Sequence, residues 1–563
     1  MRRAEDVTQP PDASPPADRA TSLLAPLANP TYRNIWMASF VANFGQLIQG
    51  VGAAWEMTRL TGSPEMVALV QTAMFLPSML LSLVSGAIAD VFDRRKVALL
   101  GYAIAMAAAA AMASISYAGW LTPWVLLGFC FAIGCGSALF APSWQASVSE
   151  QVEPRHLPSA IALGTISYNA ARSIGPALGG AVVAAFGAMA AFVANALCYL
   201  PSMLAFYLWK RPQVPSRFEP ERIDRAVIGG VRYSLHSPQI RIVIVRAFIA
   251  VLGSSAVTAL TPLIAKDLLG GNAATYGLLL GIFGVGAVIG ASFVGQIRAR
   301  FDMETAVRFC ALAAGTGTAI AGLSRSLPLT ALGLLLAGGP SMIMLALFNV
   351  NVQLSAPRWV TGRALSFYNT ATTAGISVGA WLWGVAAHGL GTGPALVVSG
   401  ACLAATVLLG RIMPIPTVAG PLLPSQLERA DPETSLAITP RSGPIVIEID
   451  YLVREEHARA FYAVMQELRG ARTRSGAFDW SLARDLQDPR LWTERYHCPT
   501  WADYMRQRNR LSAADEELQH QANSFYDHQP ADRVRRRLER PYGSVRSSAD
   551  APDRGDSYGP ISF

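Results

Sequence analysis

Charge is what this chain has least of. Of its 563 residues only 15% are Asp, Glu, Lys or Arg, while 52% are hydrophobic and the mean hydropathy is +0.32. Soluble domains carry about 25% charged residues, so a body surrounded by water on all sides is excluded. The scarcity is also local. Charge is sparse from Ile35 to Met413 and dense before and after, which makes a membrane body with polar ends. Cysteine is scarce too. The six, at 130, 135, 198, 310, 402 and 498, have no paired metal-type spacing and five lie in apolar runs. They suit small core positions rather than a disulfide or metal framework. The net charge of +8 is not a nucleic-acid footprint, because much of it lies in loops on one side of the membrane or in the C-terminal tail. Residues 1–28 include a stretch rich in Pro, Ala, Asp and Arg with no apolar core segment, and the expected state is a disordered cytoplasmic tail.

What the chain does have is long apolar runs. A bilayer-spanning helix needs about 20 residues. Runs of that length lie at about 35–58, 66–89, 97–117, 122–144, 159–183 and 188–209. A basic connection, 210–241, separates these from a second set at about 242–264, 274–297, 304–324, 327–350, 363–387 and 393–413. Cations collect in cytoplasmic loops. With the N-terminus inside, those loops hold Arg94, Arg95, Lys96, Arg155, six cations from Lys210 to Arg232, Arg298, Arg300, Arg358 and Arg363. The opposite loops hold only Arg59, Lys266 and Arg325, so both termini are expected in the cytoplasm.

The two sets repeat each other. Pro154-Arg155-His156-Leu157 recurs 203 positions on as Pro357-Arg358-Trp359-Val360, and Arg94 and Lys96 recur 204 positions on as Arg298 and Arg300. Duplicated six-helix bundles with a site at their interface are a transporter architecture. The predicted bundles are 29–209 and 242–413. Beyond a Pro-rich connection, 414–442, residues 443–540 carry a soluble pattern in the order β-α-β-β-α-(β). Ile445, Ile447, Ile449 and Tyr451 alternate onto one strand face, and 455–472 is an amphipathic helix. Strands follow at 477–484 and 491–498, then a helix over about 500–525 and a closing segment at 534–538. This is a ferredoxin-like α+β unit, and 541–563 form a polar tail.

Arg172 is the deepest charge. It lies about twelve residues into the fifth run, ~18 Å along a helix rising 1.5 Å per residue. An arginine there is costly unless it meets water or a partner, which makes it a functional candidate. The competing role is a clamp on helix ends or carbonyls. Tyr168 and Asn169 share its face. In the first run, Gln46 is about halfway along and suits a cavity hydrogen bond. Glu56, 21 residues from the start, is either interfacial and paired with Arg59 or a proton carrier. Arg246 can snorkel to headgroups from the inner end of the seventh run. In the small domain Trp480, Trp492, Trp501 and His520 are either a ligand pocket or core aromatics with a solvated histidine.

Gly86-x-x-x-Asp90-x-x-x-Arg94-Arg95-Lys96 resembles the loop between helices 2 and 3 of the major facilitator superfamily. Gly175-Pro176-Ala177-Leu178-Gly179-Gly180 resembles the helix-5 signature of its exporter branches. The stretches 53–58, 61–64 and 66–71, with Leu76-Pro77, look like the transmembrane secretion effector branch, which is similar to the enterobactin exporters. The terminal domain looks like that of antibiotic-biosynthesis monooxygenases. The resemblance implies an all-α body of twelve transmembrane helices in two six-helix bundles plus the small α+β domain. It further implies a plasma (inner) membrane exporter of a small amphiphilic molecule, such as a siderophore, drug or secondary metabolite, working by alternating access and driven by protons. Gly86, Asp90, Arg94, Arg95 and Lys96 would form a gating loop. Gly175, Pro176, Gly179 and Gly180 would pack helices. Gln46, Glu56, Tyr168, Asn169 and Arg172 would serve substrate or coupling. No metal or cofactor is implied, and the expected partners are lipid, substrate, protons and a second copy through the terminal domain. The alternative is a membrane-anchored enzyme whose terminal domain oxidises or binds an aromatic metabolite. Two departures stand out. Leu127-Gly128-Phe129-Cys130-Phe131 replaces an arginine common early in helix 4 of proton-driven exporters, and no Asp lies inside the first run. In the second-half loop, Val294 stands where the repeat puts the counterpart of Asp90.

Overall fold

The computed structural model describes residues 23–210, 231–357, 360–416, 432, 434–436, 438–509, 513–525 and 534–539. Lipid offers the backbone no hydrogen-bond partner, so a crossing segment must satisfy its own N–H and C=O groups as a helix. The twelve predicted runs each become one. The first bundle comprises α1 (Pro30–Leu60), α2 (Pro64–Val91), α3 (Arg94–Tyr117), α4 (Pro123–Gln151), α5 (Leu157–Phe186) and α6 (Ala188–Leu208). The second comprises α7 (Pro238–Leu263), α8 (Ala273–Arg300), α9 (Met303–Leu323), α10 (Leu327–Ser355), α11 (Thr361–Leu390) and α12 (Thr392–Ala405). A π turn extends α7 to Leu268, and short turns carry α12 to Ile412. Among the described residues nine of these are long and apolar enough to cross a membrane by length and composition; α1, α5 and α11 are the other three.

Helix starts follow local chemistry. Asn29 caps α1 by accepting from the Thr31 and Tyr32 amides, with Pro30 in the first position, where its missing N–H costs nothing. Asp93 caps α3 and Asp302 caps α9 in the same way. The loop between α2 and α3 is therefore much shorter than its charges suggest. Gly86 and Asp90 belong to the last turns of α2, Arg94 to Lys96 form the first turn of α3, and Phe92 and Asp93 alone lie between.

The duplication reaches into the packing. The last three helices of the bundles correspond at a spacing of 204: Gly187 and Gly391 follow α5 and α11 with φ of 79° and 90°, which favour glycine. Gly175 and Gly379 meet α1 and α7, at Leu47 and Ser255, and Gly180 and Gly384 meet α8 and α2, at Gly277 and Ala68. Helices α2 and α3 instead match α8 and α9 at 209, the two aspartate caps included. That corrects the counterpart of Asp90, which is Ala299 rather than Val294. The five-residue difference arises because α9 and the turn after it are shorter than α3 and its turn.

The terminal domain has β1 (Ile445–Leu452), α13 (Ala458–Arg474), β2 (Phe478–Arg484), β3 (Leu491–Cys498), α14 (Trp501–Asn509), α15 (Ala513–Ser524) and β4 (Val534–Leu538). Its sheet order β2-β3-β1-β4, antiparallel throughout, is the ferredoxin-like topology. The predicted inward face of β1 is buried against Phe461, Met465 and Leu468 of α13. Sequence reasoning missed the polar centre of this core. Glu494 is fully buried and accepts from Arg472 Nε at 3.1 Å, Tyr451 OH at 3.1 Å and Trp480 Nε1 at 3.0 Å. Trp492 and Trp501 pack on the same core, and His520 is exposed. The domain meets the membrane body at residues 231–236, which are helical. Tyr233 is buried with Ile240 of α7 and Val307 of α9, and it faces Arg474 and Asp515 of the domain.

Candidate functional site

One face of α5 organises the site. Ile161, Thr165, Tyr168 and Arg172 recur at spacings of four, three and four, so they line up on one side of the helix. Ile161, Thr165 and Tyr168 are exposed and Arg172 is half-buried. On one flank Gly175 and Gly179 press against Leu47, Ile48 and Val51 of α1. On the other, Ser173, Ala177 and Gly180 press against Gly284, Gly281 and Gly277 of α8. The Arg172 face thus looks between α1 and α8, into the space between the two bundles.

Arg172 is the sixteenth of the thirty residues of α5. Among the described residues its guanidinium has no hydrogen-bond or ion-pair partner, so it does not clamp a helix end or a carbonyl. Such a charge at mid-membrane costs about 3 kcal/mol even on the mildest insertion scales. The other inward-set arginines differ. Arg246, 3% exposed, is bound by Glu304 of α9 and reaches the Met413 carbonyl at 3.2 Å, so it does not snorkel to headgroups. Arg308 also holds Glu304, at 2.9 Å. Ile376 occupies the position of α11 equivalent to Arg172, so the charge has no counterpart in the second bundle.

The remaining candidates separate by neighbour. Gln46 donates to Ser137 of α4 at 3.0 Å, and Asn43 to Ser167 of α5 at 3.3 Å. Gln49 is fully buried against Asn195 of α6, inside the first bundle. Glu56 pairs with Arg59 at 3.0 Å near the end of α1, which is the interfacial alternative of its two readings. Arg94 pairs with Glu150 of α4 at 2.9 Å and donates to the Ala146 carbonyl, tying two helix ends together. Glu150 escaped sequence reasoning because α4 continues to Gln151, beyond the predicted end at 144. Arg95 stacks on Tyr207 of α6, 5.8 Å from its ring centre.

The contacts that join the bundles mark one end as sealed. Lys266 donates to the Thr58 carbonyl at 3.0 Å, and Gly180 and Gly384 touch the opposite bundle close to the same end. At mid-length the equivalent serines Ser173 and Ser377 bind across the interface, to the Gly284 carbonyl at 3.2 Å and the Thr72 carbonyl at 3.3 Å. On the other side, the side of the terminal domain, the Tyr168 face is bare.

Comparisons with known proteins bear on the family and the fold. The sequence profile described as transmembrane secretion effector matches residues 21–542. The staphyloferrin A transporter of Staphylococcus aureus is 25% identical over 45% of this chain and 64% of its own length, just under two thirds. An uncharacterized MFS-type transporter of Bacillus subtilis is 24% identical over 63% of this chain and 85% of its own. The multidrug efflux pump Tap of Mycobacterium tuberculosis is 24% identical over 35% and 49%. Among solved structures, a bacterial homolog of the lysosomal transporter Spinster, inward-facing and unoccupied, has a TM-score of 0.54 at 13% identity, covering 68% of this chain and 94% of that one. The POT family transporter PepTSo has a TM-score of 0.56 at 13% identity, covering 68% and 97%. Both likenesses concern the fold. The chain is a multi-pass membrane protein of the major facilitator superfamily and belongs to its transmembrane secretion effector family.

Proposed function

We propose that this chain is a secondary exporter of a small amphiphilic molecule, which binds between the bundles beside Arg172. The observation that carries the reading is the Tyr168–Arg172 face, bare on the open side and closed over on the other. Substrate enters from the open side, contacts Arg172, Tyr168 and Asn169, and leaves when the bundles rock and the seal at Gly180 and Lys266 parts. The cation-rich loops support a cytoplasmic open side and cytoplasmic termini in the plasma membrane, and on that reading this state faces inward. Energy comes from the electrochemical gradient, of which protons are the component the resemblance implies. The relatives that are a staphyloferrin A transporter and a multidrug efflux pump support a siderophore or drug-like substrate. The terminal domain is read as an accessory unit that pairs two copies through its open sheet face.

An accumulation screen tests this directly. Cells lacking the protein should retain at least one compound from a panel of siderophores, antibiotics and dyes that wild-type cells expel, and an uncoupler should abolish the difference. Equal retention of the whole panel by both strains would overturn the reading.

A further inference from the structure

The charge of the site is unbalanced. Among the described residues, every Asp and Glu between Pro30 and Ile412 lies in a connection or within five residues of a helix end: Glu56, Glu65, Asp90, Glu150, Asp267 and Glu304 are those in helices. None lies beyond Glu304 in the second bundle. Arg172 sits fifteen residues from the start of its helix, about 22 Å along the axis. Of the carboxylates at the open end, Glu304 is held by two arginines and Glu150 by Arg94. His388 is in the last turn of α11, at the sealed end. The middle of the body therefore holds a fixed cation, because arginine keeps its proton. Among the described residues it holds no acidic side chain that could trade a proton for substrate.

We propose, resting on the export reading above, that the substrate is anionic and that the inside-negative membrane potential drives it out. The transported molecule is a carboxylate-bearing or similarly acidic amphiphile whose charge neutralises Arg172, with Tyr168 and Asn169 available to hydrogen-bond its oxygens. With no proton taken up in exchange, each cycle moves net negative charge outward. A potential of about 100 mV then supports an outward concentration ratio of about fifty-fold per elementary charge.

Two xanthene dyes of similar size and opposite charge provide the probe: carboxyfluorescein, an anion, and rhodamine 6G, a cation. The full chain is reconstituted in liposomes with the potential set by a potassium gradient and valinomycin and with equal pH on both sides. The expected result is carboxyfluorescein flux that follows the potential, with no accompanying pH change inside. Arg172→Gln, which keeps hydrogen-bond donors without the charge, should cut that flux at least tenfold, and Arg172→Lys should retain more of it. Abundance and gel-filtration profile show that each variant is folded. Rhodamine 6G moved in preference to carboxyfluorescein would overturn the anionic substrate and leave export standing. Carboxyfluorescein flux that requires a pH gradient at zero potential would overturn the driving force. A folded wild-type chain that moves neither dye would count against the export reading itself. Undiminished anion flux in a folded Arg172→Gln would remove Arg172 from the site.

Discussion

Arg94 and Glu150 are each about one-fifth exposed, so their pair is only partly screened by solvent. Arg94→Ala and Glu150→Gln should each leave the protein inserted and abundant but alter transport. The double variant should be no worse than the worse single one, because both remove the same tie. Additive losses would show that the two act separately. Asp90→Asn belongs to the same set, with slower transport at normal abundance as the expected result. Glu494 makes a contrasting case in the terminal domain. Removing it strands the buried Arg472 charge and leaves Trp480 and Tyr451 without an acceptor. Glu494→Ala should therefore destabilise the domain by about 3–5 kcal/mol, read as its unfolding transition in the purified full chain. A loss under about 1 kcal/mol would mean that the core rehydrates. Individual residues were legible in the sequence where a single helix decides the matter. The shared face of Tyr168, Asn169 and Arg172 is one case and the Glu56–Arg59 pair is another. Glu150, Ser137 and Glu304 were not, because spacing tells which way a side chain points but not which helix lies there.

At the scale of elements, the seal between α5 and α8 is set by backbone rather than side chains. A Cβ on Gly180 would lie 2.6 Å from the Ala273 carbonyl oxygen and 2.8 Å from the Gly277 Cα. Neither atom can rotate away, so Gly180→Ala should disfavour this state by about 1–3 kcal/mol and populate the one open at the opposite end. Maleimide labelling of Ala273→Cys, buried here, measures the shift. Labelling no faster in the Gly180→Ala background would mean that the helices do not part at this point. The glycine run was visible in the sequence, but its partner was not. Repeat spacing from two loops came close for α5 and α11. It failed for α2 and α8, because α9 and the turn after it are shorter than α3 and its turn, which changes the register from 209 to 204. The runs 66–89 and 97–117 leave seven residues between them where the structure leaves two, for a related reason. Charged residues gather at helix ends as well as in turns, and a capping aspartate such as Asp93 lets the helix resume at once.

At the scale of the molecule, the terminal domain is read as an accessory unit rather than as part of the transport path. A chain ending at 416 should still insert and still transport, at a changed rate, when flux is compared at equal abundance. A truncated protein that is abundant and inert would make the domain part of the cycle. Its ferredoxin-like order was legible because strand alternation and an amphipathic helix survive in isolation. Its attachment was not, since Tyr233 lies more than two hundred residues from Arg474 and Asp515. That attachment also has a practical use. The domain is seated on a segment that packs with α7 and α9, so a rocking of the bundles would carry it with the second one, like the hand of a dial. Lys96, exposed in the first turn of α3, belongs to the first bundle, and Leu486, at the exposed tip between β2 and β3, belongs to the hand. A spin or fluorophore label at each would report the angle between the bundles through every stage of the cycle, with nothing placed in the cavity.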